Sequence, residues 1–561
     1  VQFTTPDPGT ARAFYRVILP DGNATAVLVA PEFMSNGDLR LSLNRSYVGP
    51  FGGLNALEIE ALSLSSRAGA GGVNVIDATD LSVSGSTVTV NRVDAQGQGG
   101  PMVDGAQVGI SSADNGSVVL RSLAGSLNVG EALGVAGSGQ VLVETRAGAS
   151  SVVIGARVSS ATGNVSVVAG GSVTLLSDLE SGGEGSISVR ARTGTITQAD
   201  GARVIAANGS VRLWAQGDVA LGGVATSGDV WIVSTGGSVL DQGDVTLDIL
   251  ANVLRVEVAI GFGRLGSGVD NAIEVNVSRA AIRAGLGGIN LLEADGLTIG
   301  DARVRVNVAG ASGSFASVED PTQSDLIAAG GAIVVRTLSG ALTVTDGSAT
   351  ADGLGVDSGG GNIRLESLGG DVVLNAGVEA GVGHLSLLAS NNIALNAHVR
   401  TRGAGTVDME ASGGSITMAA GSSARTDGGN MRVSAGAGVT IGLLDLRTPA
   451  DRASGQLTSQ ANWGQLSLNA GSGSVADASA PGDGLVDVYA SSARFAAGGA
   501  VGSPGNAIET EAATISVAAG SGGLNLVDAG PVAIGTVGAV TVQRVRPDGR
   551  EAHRHSKKRR V

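Results

Sequence analysis

Two histidines, His384 and His398, stand fourteen residues apart with no serine or acid spaced as a partner, and the other two, His553 and His555, fall in a basic run near the C-terminal end. Four His with no Cys leave too few soft ligands for a zinc centre. The acids Asp218, Asp229, Asp241 and Asp244 are scattered at turn positions, where Asp caps local backbone groups. They are not gathered as the facing carboxylates that general acid–base work on a sugar requires. A polysaccharide-active site would also want a basic group such as Lys, and no Lys precedes residue 557. Gly266-Ser267-Gly268-Val269-Asp270 only approximates one calcium-binding glycine repeat and has no tandem partner. The sequence therefore assigns no catalytic residue, no cofactor-binding residue and no metal ligand, and it predicts a protein that is not an enzyme. One aromatic pair is a candidate ligand patch: Trp214 and Trp231 follow similar strand motifs and could offer a sugar platform. The competing reading packs them along an edge of the fold.

The elements that would carry these residues are set by composition. The 561 residues include 91 Gly and 12 Pro, 43% are hydrophobic and only 2% aromatic. Dense Val and Leu supply the apolar surface that a disordered chain lacks. No apolar run approaches the roughly 20 residues of a membrane-crossing helix. A net charge of −14 offers no cationic track for nucleic acid. Zero Cys excludes disulfides and thiolate chemistry, and fits an exported surface protein. The chain begins at Val1 without an initiator Met or an apolar leader, and is read as a mature product or an excised piece. The run from Arg554 to Arg560, with Lys557 and Lys558, reads as a solvated tail.

A short period decides the fold class. A Gly-x-apolar-x-apolar motif recurs with its first apolar residue at Ile363, Leu385, Val407 and Met431, and a second series runs at Val372, Ile393, Ile416 and Val439. A third apolar point falls between them at Val378, Val399 and Ala424. The same grammar holds at Val165, Ile187, Val211 and Val230, with Val173, Ile196, Val219 and Val239. Alternation within each motif, as in Val211-Arg212-Leu213, predicts strands with one buried and one wet face. Strands returning about every 22 residues, three edges to a cycle, predict an all-β parallel β-helix (β-solenoid), taken as right-handed from the general rule for parallel crossovers.

A longer period lies above it. Asn55-Ala56-Leu57-Glu58 returns as Asn271-Ala272-Ile273-Glu274 and as Asn506-Ala507-Ile508-Glu509, shifts of 216 and 235 residues. Sixteen residues after each Asn comes Gly-Gly-apolar-Asn-apolar-apolar-acid-Ala, starting at Gly71, Gly287 and Gly522. Val88-Thr89-Val90-Asn91-Arg92-Val93 is echoed by Val540-Thr541-Val542-Gln543-Arg544-Val545. The predicted organisation is the end of a preceding module (1–54, aromatic- and Pro-rich), modules at 55–270 and 271–505, the start of a third at 506–545, and a disordered basic tail at 546–561. A loop is predicted to leave the second module at Val318–Asp325. Each module adds roughly ten coils and about 50 Å of length.

Repeated Gly-x-Val-x-Leu strands, Asn-Ala-Ile-Glu module starts and Gly-Gly-Leu-Asn-Leu continuations resemble the shaft regions of filamentous-haemagglutinin-like adhesins and related giant bacterial surface proteins. The resemblance covers most of residues 55–545. It implies a right-handed β-helix, export to the bacterial cell surface, and a role in attachment or biofilm. The expectation is an extracellular stalk that contacts a host cell or matrix glycan or protein, with adjoining modules of a longer chain. The alternative is a structural subunit that binds copies of itself as a filament, sheath or surface layer, and a more remote one is a β-helical polysaccharide-active enzyme.

Overall fold

The computed structural model describes residues 32–33, 38–42, 56–242, 246–266 and 271–555. The aromatic- and Pro-rich stretch of residues 1–54 lies almost wholly outside these, as do Asp244, most of the calcium-like glycine motif and both lysines. The chain forms two compact units, one of residues 1–228 with 305–319, the other of residues 229–304 with 320–561. The repeat boundary at Asn271 thus falls inside the second unit.

Both units are parallel β-helices with three strand edges per coil. In the first, the long edge stacks Val73–Asp77, Val118–Ser122, Val141–Thr145, Val165–Ala169, Ile187–Ala191 and Val211–Ala215 in register. The second edge begins with Leu81–Val83 and Leu127–Val129, and the third with Ile110–Ser112 and Leu133–Val135. In the second unit Ile363, Leu385, Val407 and Met431 are direct partners, as are Val372, Ile393, Ile416 and Val439. Val378, Val399 and Ala424 form the third edge. The residues whose spacing predicted the coil are the ones that stack. Inward residues repeat as columns, Val141, Val165, Ile187 and Val211 among them, each fully buried against its equivalents.

The glycine of the Gly-x-apolar motif is required by close approach. Gly331, Gly361, Gly383, Gly405, Gly429 and Gly464 form a column in which a Cβ on each later member would overlap the backbone of the one before, its carbonyl oxygen foremost. Gly116, Gly139, Gly163, Gly185 and Gly209 form the matching column of the first unit, again with the preceding carbonyl among the overlapped atoms. Only a residue without a side chain lets successive coils close at this corner.

Among the described residues, three antiparallel hairpins form two-stranded sheets separate from the coils: Gly85–Val93 with Gly99–Val108, Arg305–Ala309 with Phe315–Glu319, and Thr541–Val545 with Glu551–His555. All three follow their Asn-Ala-x-Glu start at nearly the same distance and share one five-residue turn. The first turn residue donates to the carbonyl of the fifth (Asp94 to Gln98 2.9 Å, Gly310 to Ser314 2.8 Å, Arg546 to Arg550 2.7 Å). The fourth is a left-handed glycine, Gly97, Gly313 or Gly549, with φ of 74°, 72° and 78°. Two expectations are corrected here. The excursion of the second module begins at Arg305, before the turn-rich stretch from Val318, because hydrogen-bonded strand pairing claims the residues on both sides of the turn. The stretch from residue 546 is, as far as His555, the turn and second strand of a hairpin, because Thr541–Val545 gives it an antiparallel partner.

Candidate functional site

The acid that closes each Gly-Gly-apolar-Asn motif is a structural staple. Asp77 accepts from the amide of Ala61 at 3.0 Å, Glu293 from Val277 at 3.0 Å, and Asp528 from Ala512 at 3.2 Å, each sixteen residues back in the chain. Each also takes the amide two residues ahead, that of Thr79, Asp295 or Gly530. The carboxylate thereby joins the first strand of a module to its continuation. Burial raises Asp77 and pushes Glu293 up to about 7, against the pull of these amides.

The glutamate of the module start does something different. Glu274 meets Asp248 and Asp241, and Glu509 meets Asp487 and Asp477, with one carboxylate oxygen from each residue of a triplet within 4.8 Å of the others. The two triplets are equivalent. Asp248 and Glu274 exchange reciprocal bonds, Glu274 N to Asp248 Oδ2 at 3.0 Å and Asp248 N to Glu274 O at 2.9 Å, and Asp487 and Glu509 repeat both distances. Burial first, then the charges of Asp248 and Asp241, push Glu274 up to about 8. Burial, with Asp477 and Glu509 beside it, pushes Asp487 up to about 8. Three carboxylates so placed can share a proton or hold a divalent cation. Sequence reading assigned no ligands here. The available signal was the repeated Glu of Asn-Ala-Ile-Glu, which nothing in one dimension linked to acids 22 to 33 residues earlier.

The second structural feature is the outward face of the long edge. Alternation predicts that face to be wet, yet Val118–Ser122, Ile363–Ser367 and Leu385–Ala389 are buried on both faces. The hairpins explain the difference. In the first unit Ala309 packs with Val119 and Leu142, its amide donates to Ser166 Oγ at 2.8 Å, and the turn carbonyl of Gly313 accepts from Ser117 Oγ at 2.9 Å. In the second unit the amide of Val545 donates to Ser386 Oγ at 2.9 Å and the turn carbonyl of Gly549 accepts from Asn362 Nδ2 at 3.0 Å. Arg544 bonds Asp408 and Glu410 at 2.6 Å each, and Arg432 braces the same carboxylates at 2.7 and 2.9 Å. Against the upward push of burial, these two guanidiniums hold Glu410 down at about 2.

Comparison with protein-family models, with curated proteins and with solved structures finds no match.

The residues singled out from sequence fall into packing roles. Trp231, only 6% exposed, lies under the Arg255 guanidinium, 5.5 Å from its ring centre. Trp214 is half-buried beneath Arg190 at 4.5 Å. One face of each indole is thus covered by an arginine of its own unit. His384 bonds Thr406 on the next coil at 3.0 Å, with burial lowering its pKa, and exposed His398 bonds Ser423 at 2.9 Å. His553 and His555 pair with Gln543 and Thr541 across the third hairpin. Among the described residues, no helix is long and apolar enough to cross a membrane.

Proposed function

We propose that this chain is a segment of an extracellular stalk, displayed on a bacterial surface by an adhesin of the filamentous-haemagglutinin-like kind, and that it performs no catalysis. The observation that carries the reading is the repetition itself: module starts, acid staples, glycine columns and hairpins recur at fixed offsets. The starts, staples and columns serve to stack one coil on the next, and two of the hairpins cover the outward face of the stack. Repeats that contact mainly their neighbours let a shaft lengthen without redesign of its core, which is what reach from a cell surface requires. The attachment partner is a glycan or protein of a host cell or matrix.

An antibody raised against the purified chain tests this on intact producing cells. Labelling of unpermeabilised cells, lost after brief protease shaving, is the expected result. Signal only after lysis would exclude the surface role. Deleting residues 55–270 in frame from the gene is expected to lower attachment while leaving surface labelling intact.

A further inference from the structure

The second and third hairpins show what this element is built to do, and the first has the same parts without the same cover. Two positions facing the coils are Val306 and Ala309 in the second hairpin, 0% and 3% exposed, and Val542 and Val545 in the third, 1% and 0% exposed. Their equivalents in the first hairpin, Val90 and Val93, are 42% and 68% exposed, and Met102 and Val103 on the paired strand are exposed with them. The anchoring valine at the base is buried in all three, as Val88, Val304 and Val540. The first hairpin is therefore held at its root by its own coils and bare at its tip.

We infer that the hairpin Gly85–Val108 is a docking arm whose partner is the outward long-edge face of another repeat of this same kind. Both precedents seat the arm in one way. The amide of its sixth residue, counted from the basal valine, goes to a serine hydroxyl at the second position of a long strand, and the turn glycine carbonyl goes to a polar side chain just ahead of a long strand. Val93 and Gly97 are the matching groups of the first arm. Its charge also fits: Asn91-Arg92-Val93 stands where Gln543-Arg544-Val545 stands, and the exposed Arg92 takes the place of the guanidinium that meets Asp408 and Glu410. The inference rests on the fold and not on the adhesin reading, and a cytoplasmic protein with these coils would carry the same arm.

The test bares one such face in the full chain. Val542→Asp with Val545→Asp ejects the third hairpin and opens the face from Ser386 to Arg432 to the first hairpin of a second molecule. Sedimentation velocity over a wide concentration range is expected to show a monomer for the unaltered chain and reversible self-association for the ejected variant. Adding Val90→Asp and Val93→Asp is expected to return it to monomer. An ejected variant that stays monomeric, or that associates equally with the first hairpin altered, overturns the proposal. Because the chain has no native Cys, a second readout is available: in the ejected background, Val93→Cys mixed with Ser386→Cys is expected to give an intermolecular disulfide. A yield no higher than that of a control mixture, Val93→Cys with Gly421→Cys, would likewise count against it.

Discussion

Arg544 Nε lies 2.6 Å from the Asp408 carboxylate, 136 residues earlier in the chain, and the Asp408 side chain is wholly buried beneath it. A fully desolvated carboxylate tolerates loss of a partner poorly, although Arg432 retains a second bond to it at 2.7 Å. Arg544→Ala is therefore expected to cost about 3 kcal/mol, the low end for removing one member of a buried pair. The loss should be local, with amide exchange rising across residues 541–555 before the coils respond. Glu410 adds a pH signature: its folded pKa is depressed, so its contribution is present above the ordinary carboxylate range and is lost as pH falls toward about 2. Protection of the hairpin amides, taken relative to their intrinsic exchange rate at each pH, should fall over that acid window in the unaltered chain. An unchanged exchange rate in Arg544→Ala would show that the ion pair does not hold the hairpin.

The glycine columns make a sharper demand. An alanine Cβ at Gly383 would overlap the Gly361 carbonyl, and every near atom is backbone, which cannot swing aside. Gly383→Ala is expected to destabilise the second unit by about 3 kcal/mol, the upper end for overpacking. Gly421 also sits in a turn, but a Cβ there would meet open space, so Gly421→Ala should stay within about 0.5 kcal/mol. Urea unfolding followed by far-ultraviolet circular dichroism separates the two, and equal midpoints would refute the column as the reason for the motif.

Much of the coil was legible because period-two alternation and a return about every 22 residues are local regularities. Ile363 and Leu385 announce their partnership through spacing alone, and they are register partners. The hairpins were not legible as covers. Val545 and Ser386 alternate like any half-buried strand residues, and only a contact across 159 residues decides that the face around them is dry. The acid triplets escaped for the same reason: Asp477, Asp487 and Glu509 are far apart in the chain and brought together by coil closure. Trp214 and Trp231 suggested a sugar platform because sequence gives no view of the arginines that cover them.

The triplets predict an unusual pH profile. Glu274 and Asp487 have folded pKa values raised to about 8, so the stability they contribute is fully present below the ordinary carboxylate range and is lost as pH rises through about 8. The melting temperature of the unaltered chain is expected to fall from about pH 5 to about pH 9. Glu274→Gln with Asp487→Asn keeps the shape and removes the charge, and should flatten that slope and raise the melting temperature at the alkaline end. A slope identical to that of the unaltered chain would mean that the triplets ionise freely. If added calcium restores the melting temperature at alkaline pH in the unaltered chain but not in the double variant, the carboxylates hold a cation when deprotonated.

Glu293 separates hydrogen bonding from charge within one side chain. It is fully buried, accepts from Val277 and Asp295, and has a pKa pushed up to about 7 by burial. Glu293→Ala leaves the amide of Val277 without its acceptor at the joint between module start and continuation, a loss of about 1–3 kcal/mol. Glu293→Gln keeps an acceptor oxygen and has no charge to desolvate. Since a raised carboxyl loses its stabilising contribution as pH climbs past about 7, the Gln variant should match the unaltered chain near pH 5 and exceed it near pH 9, while the Ala variant falls below the Gln variant at both. Thermal unfolding at the two pH values decides the matter. A Gln variant as damaged as the Ala variant would show that the charge itself, and not the acceptor, makes the staple.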